Sequence, residues 1–258
     1  MSYAILGHYS RPLASTRFPG KLLYDLAGQP IIQHVYRHAC ESGATQVIVA
    51  TDDSRIAEVA QAFGATVCMT AVTHQSGTDR VAEAARHHGA TPNTIIVNVQ
   101  GDEPLLHPTL IHQVAEALNK NPHADIATLC EPIATTADIL NPNIVKVVRD
   151  HAGCALYFSR APIPYIRDGF EAPHAVQHAR HLGIYAYHAE YLWYYTQLKP
   201  CALEQAEMLE QLRVLATGGK IYVEMATVAS GIGIDTAEDL DKVRHLFAQP
   251  DNLQLSVQ

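Results

Sequence analysis

The chain has 258 residues, 48% of them apolar and 17% charged, enough to bury a sizeable core and far from the composition of a disordered chain. A formal net charge of −8 argues against non-specific nucleic-acid binding, which needs an excess of Lys and Arg, so any phosphate should be met locally by a loop and a metal. Five scattered cysteines (Cys40, Cys68, Cys130, Cys154 and Cys201) form no CxxC pair and indicate neither a zinc site nor a disulfide framework, which suits a reducing compartment.

The chain opens without a basic segment leading into an apolar run, and no apolar stretch approaches the ~18 residues needed to span a bilayer. The expectation is a soluble, cytoplasmic protein with no membrane partner.

Short apolar runs recur at Tyr3–Leu6, Gln46–Ala50, Thr66–Met69, Thr94–Val99 and Ile126–Cys130. Their β-branched content and lack of strict alternation predict buried, largely parallel strands. Helical patterns lie between them at Ile31–Ser42, Asp53–Phe63, Thr78–His88 and Pro108–Asn119. This alternation predicts an α/β fold with a doubly wound sheet, whose ligands sit beyond the carboxyl ends of the strands.

After about residue 140 the rhythm changes. Strand patterns at Val145–Arg149, Ala155–Ser159 and Gly183–His188 precede helical ones at Glu190–Leu198 and Leu203–Ala216, then a strand at Lys220–Thr227. This half is expected to add a smaller lid or oligomerisation subdomain to the same sheet. No linker or repeat divides the chain, so a single domain is expected.

Four segments carry candidate chemistry. Ala14–Lys21 is a small-residue loop with Arg17 and Lys21 four positions apart, suited to backbone and cationic contacts with a triphosphate, or else an ordinary surface turn. His74–Arg80 opens a helix, so Ser76 or Thr78 either caps that helix or joins Arg80 in holding a base or phosphate. Gln100–Pro104 follows a buried strand, where Asp102 either caps the next segment or holds Mg²⁺. Gly231–Leu240 leads into a last helix, which Asp235 or Thr236 simply caps unless Asp235 supplies a second metal carboxylate.

Fifteen histidines show no HExxH or comparable metal spacing, and the aromatic stretch from Tyr185 to Tyr195 reads as core or interface.

In this order and spacing, these segments, together with Asn141–Val147, Ala155–Arg160, Arg180–Tyr187 and Glu210–Leu215, resemble the 3-deoxy-manno-octulosonate (Kdo) cytidylyltransferases. The resemblance runs from about residue 14 to about residue 245. It implies the nucleotide-diphospho-sugar transferase type of sheet, with a CTP-binding half at 1–140, a sugar-binding and dimerisation region at 141–235 and a C-terminal helix at 236–248. It also implies transfer of CMP from CTP to the C2 hydroxyl of Kdo for lipopolysaccharide synthesis, with Mg²⁺ and a homodimer.

By matching position, the resemblance gives Ser15, Lys21, Ser76 and Arg80 to CTP, with Arg17 nearby. It gives Asp102 and Asp235 to Mg²⁺, and Gln100, Arg160, His181, Tyr185, Glu210 and Gln211 to the sugar. One departure stands out: the family's arginine four residues before Thr16 is replaced by Pro12, with Arg11 one step away. Either Arg11 serves CTP through a rearranged loop, or the chain is a nucleotide-binding homologue with impaired catalysis. The 8-amino analogue of Kdo is the alternative acceptor.

Overall fold

The computed structural model describes residues 2–7, 18, 20–74, 76–170 and 176–248. In chain order the first elements are β1 (Ser2–Gly7), a 3₁₀ turn (Lys21–Leu23), β2 (Asp25–Leu26), β3 (Gln29–Pro30), α1 (Ile31–Glu41), β4 (Gln46–Thr51), α2 (Ser54–Ala62), β5 (Thr66–Met69) and α3 (Gly77–His87). Next come β6 (Ile95–Gln100), α4 (Pro108–Lys120), β7 (Ile126–Pro132), α5 (Thr136–Leu140), β8 (Lys146–Arg149), β9 (Ala155–Ser159) and β10 (Ala179–His188). The last are α6 (Ala189–Tyr195), α7 (Ala202–Glu207), α8 (Leu212–Ala216), β11 (Ile221–Met225) and α9 (Ala237–Phe247).

The main sheet has the order β11-β7-β10-β6-β1-β4-β5. Pairings β1–β4, β1–β6, β4–β5 and β7–β11 are parallel, as a doubly wound α/β fold requires. The exception is β10, which runs antiparallel between β6 and β7 and so welds the second half of the chain into the first. The β8–β9 hairpin branches from β10 through the pairs Ala179↔Val147 and Arg180↔Lys146.

Strand residues alternate between the two faces of the sheet, and each face has its own core. Val97 and Val99 of β6 belong with Ile31, Val35, Leu110 and Val114 of α1 and α4, whereas Ile96 belongs with Val81 and Ala85 of α3 and Leu192 of α6. On α4, Leu110, Val114 and Leu118 are fully buried at helical spacing, and each contributes about 1.5–3 kcal/mol of apolar burial.

Two expectations change. The helix predicted over Leu203–Ala216 is two helices, because Met208 takes a left-handed conformation (φ 53°, ψ 47°) and closes α7. Helical periodicity continues across that break, so the pattern hid it. The caps also resolve: Ser76 accepts from the Asp79 amide at α3, and Thr236 forms a capping box with Asp239 at α9. Asp235 is therefore not the cap of α9, and α4 is capped by His107, not Asp102.

Candidate active site

The site begins where β1 and β6 end together, Gly7 opposite Gln100. The chain turns at Gly101, where an added Cβ would lie 3.2 Å from both Leu22 and Ile32. That close approach ties the Gln100–Pro104 turn to the element carrying Lys21. Gly20 sits at φ 68° and turns the chain into the 3₁₀ segment, whose Leu22 is buried.

Lys21 Nζ donates to the Ile234 carbonyl at 2.8 Å and to Asp235 Oδ1 at 3.0 Å, and lies 2.5 Å from Asp102 Oδ2. The Ile234 amide donates to the Asp102 carbonyl at 2.9 Å, locking the two carboxylate-bearing segments side by side. Burial pulls the Lys21 pKa down, but the charges and hydrogen bonds of Asp102 and Asp235 outweigh it, so the ammonium titrates above its usual value. Two carboxylates thus bracket one positive charge.

This donor set suits Mg²⁺, which takes hard oxygens and commonly uses one or two protein carboxylates with substrate phosphates completing its shell. No group of three or more metal-binding side chains occurs among the described residues, so the metal would need those phosphates.

The segment bearing Asp235 is anchored from behind. Arg180 pairs with Glu131 and donates to Ser230 Oγ at 2.6 Å. Gly231 follows at φ 80°, so close to Leu105 that a Cβ would lie 2.5 Å from that side chain. Glu103 lies half-buried nearby, and desolvation followed by the charge of Asp102 raises its pKa to about 8. Its carboxyl is therefore mainly neutral at pH 7.

A second space of about 330 Å³ adjoins this turn, and Gln100, Tyr185, Glu210 and Gln211 line it together. Glu210 owes its place to the break at Met208. The buried Glu204–Arg213 pair, with Nε to Oε2 at 2.8 Å, fixes α7 against α8, and the Tyr195 hydroxyl donates to the Glu210 carbonyl at 3.1 Å. The Glu210 carboxylate accepts from Thr78 Oγ1 at 3.2 Å. Burial raises its pKa, against the opposing effects of Thr78 and Arg213.

Four residues expected at the site are placed elsewhere. Arg80 is almost fully buried and pairs with Asp52 at 2.8 Å and with Thr70, so its charge braces the ends of β4 and β5 where a nucleotide contact was expected. Ser76 is occupied with capping α3. Arg160 does not line the 330 Å³ pocket; its Nε donates to the Glu207 carbonyl at 2.7 Å and its Nη1 to the Pro142 carbonyl at 3.0 Å. His181 instead lines a smaller cavity of about 150 Å³ with Glu103 and Arg180, its Nε2 3.0 Å from Thr128 Oγ1. Arg11, Ser15 and Arg17, with the altered 7–13 loop beyond Gly7, lie outside the described residues.

The sequence reading passed over Asn98, Glu204, Glu207 and Arg213. Asn98 alone left a signal, as a polar residue inside the apolar run Thr94–Val99.

Residues 11–221 match the cytidylyltransferase family. The chain is 52% identical over 253 residues to the 3-deoxy-manno-octulosonate cytidylyltransferase of Nitrosococcus oceani, across 96% of this chain and 97% of that protein. It is 51% identical over 245 residues to the enzyme of the same name from Pasteurella multocida, across 91% and 95%. Among solved structures, CMP:2-keto-3-deoxy-manno-octonic acid synthetase complexed with CTP matches with a TM-score of 0.86 and 42% identity, over 96% of this chain and 98% of that one. A nucleotidyl transferase from Methanothermobacter shares the fold alone, with a TM-score of 0.60 at 17% identity over 97% and 99%.

Proposed function

The chain belongs to the cytidylyltransferase family, with the 3-deoxy-manno-octulosonate cytidylyltransferases, and from that premise we propose that it transfers CMP from CTP to the C2 hydroxyl of Kdo. The C2 oxygen forms a bond to the α-phosphorus of CTP as its hydroxyl proton is released to solvent, the bond from that phosphorus to the bridging oxygen breaks, and pyrophosphate leaves with the electron pair. The observation that carries this reading is the convergence of Asp102, Asp235 and Lys21 beside the pocket lined by Gln100 and Glu210.

Phosphoryl transfer of this kind needs positioning and neutralisation of charge more than covalent chemistry. Lys21 offsets charge on the triphosphate and on departing pyrophosphate. Asp102 and Asp235 would hold Mg²⁺, which would supply Lewis acidity and offset the charge of the phosphates. Gln100, Gln211 and Glu210 offer amide and carboxylate partners to a hydroxyl-rich sugar. Arg160 would meet the sugar's carboxylate by turning from the backbone carbonyls that now hold it. The same reading makes the protein a cytoplasmic homodimer serving lipopolysaccharide synthesis.

The test is pyrophosphate release with CTP, Mg²⁺ and Kdo, run beside 8-amino-Kdo, a blank without sugar and an EDTA control. Release that requires both metal and Kdo supports the proposal. A clear preference for the amino sugar would reassign the acceptor, and no release from folded protein with either sugar would refute it.

A further inference from the structure

Along one face of β6 the polarity changes in steps of two. Ile96 is fully buried in the apolar core, Asn98 is 3% exposed, and Gln100 is half-buried at the end of the strand. Both Asn98 and Gln100 line the 330 Å³ pocket, and Asn98 sits opposite Tyr185 of β10, another lining residue. An amide in the middle of a central strand, one turn of the pleat beyond core isoleucine, has no packing advantage over leucine.

Its side-chain oxygen is also unsatisfied. Asn98 Oδ1 is buried and has no hydrogen-bond partner among the described residues. Leaving such a group without a partner is destabilising, and in native proteins it calls for an explanation. Two other hydroxyls lining the pocket are committed elsewhere: Thr78 to Glu210, and Tyr195 to the Glu210 carbonyl.

We propose that Asn98 is a substrate-contacting residue at the floor of the acceptor pocket, where its side-chain amide takes a hydrogen bond from a hydroxyl of the sugar. This rests on the assignment of that pocket to the acceptor. An amide whose oxygen is buried and unpaired until substrate arrives accepts hydroxylated ligands and rejects analogues lacking the hydroxyl, because those leave it unpaired still. Asn98 is thereby a specificity determinant, set deeper than Gln100.

The experiment uses the full chain and compares wild type with Asn98→Leu, a near-isosteric apolar change, and Asn98→Ser, a smaller one that puts a hydroxyl in place of the amide. Wild-type turnover with CTP and Kdo is measured first, so failure of the acceptor assignment shows there, before any variant is considered. Thermal midpoints are recorded for all three. We expect Asn98→Leu to keep or raise the midpoint, since it removes an unpaired buried polar group, while kcat/KM for Kdo falls at least tenfold and the KM for CTP stays within about twofold. Asn98→Ser should lose less.

Kdo analogues, each lacking one hydroxyl, complete the cycle on wild type and Asn98→Leu. For one of them the wild-type penalty should largely vanish in the leucine variant. An unchanged kcat/KM for Kdo in both variants would overturn the proposal. So would an equal loss toward CTP and sugar, or an unaltered penalty for every deoxy analogue in the leucine variant.

Discussion

Lys21 and Asp102 meet at 2.5 Å at the end of β6, and the same ammonium also reaches Asp235 at 3.0 Å. One cation therefore holds together two carboxylates that would otherwise repel. On the proposed function, substrate phosphates and a divalent ion would take up that charge.

Asp102→Asn follows directly. It keeps the shape and removes the charge, so kcat for pyrophosphate release should fall a hundredfold or more, by the order of about 10² seen when one electrostatic stabiliser is lost. Stability should change by no more than about 1 kcal/mol, since the Asp102 side chain is 25% exposed and its pair with Lys21 is partly solvated. Wild-type turnover in this variant, measured at saturating Mg²⁺, would remove Asp102 from the metal assignment.

Arg180 makes a subtler case. It touches neither Lys21 nor Asp102, but it grips Glu131 and Ser230 at the root of the segment that ends in Asp235. Arg180→Met should let that segment wander, raising the Mg²⁺ concentration for half-maximal rate and lowering kcat about five- to twentyfold, equivalent to about 1–2 kcal/mol. Excess Mg²⁺ should restore part of the rate, which a purely unfolding variant would not show. A metal titration curve superimposable on wild type would sink the idea.

The sheet and its order of alternation were legible because apolar runs and turn residues are local signals: Thr66–Met69 and Ala155–Ser159 were predicted to the residue. The direction of β10 was not, since periodicity says nothing of whether a strand pairs parallel or antiparallel. Nor was the break at Met208, where no glycine marks the left-handed turn that aims Glu210. At the site, motif spacing pointed to Asp102, Asp235 and Lys21, whose meeting depends on one hydrogen bond between distant segments, Ile234 to Asp102. Arg80 was ambiguous in sequence because a cation in a phosphate-like loop reads the same whether it faces ligand or pairs, as here, with a half-buried aspartate.

Arg160→Lys separates binding from chemistry. Arg160 is held by two backbone carbonyls through Nε and Nη1, while Glu207 accepts from its amide at 2.9 Å. Buried Lys146 donates to the Arg160 carbonyl at 2.7 Å and fixes the backbone from the other side. A lysine at 160 offers a point charge with no planar fork. The KM for Kdo should rise about tenfold, a single lost charge-assisted contact, with kcat less affected. An unchanged KM would show that Arg160 does not turn to meet the sugar.

His181 predicts an acid-sensitive stability. Its imidazole is enclosed by Phe158, with ring centroids 4.9 Å apart, by Tyr185 and by Thr128, and burial lowers its pKa to about 3. In the unfolded chain the same ring titrates near its ordinary value of about 6.5. Between those two values the unfolded state binds the extra proton, so stability falls as pH drops through this window and is unaffected above it. The slope approaches about 1.4 kcal/mol per pH unit, which gives a loss of about 2 kcal/mol between about pH 7.5 and pH 5. His181→Gln keeps a polar partner for Thr128 and cannot titrate. Its urea stability should therefore start lower at neutral pH and decline less on acidification, the two curves converging toward pH 5. Parallel curves across that range would show that the neutral, buried imidazole is not what makes the fold sensitive to acid.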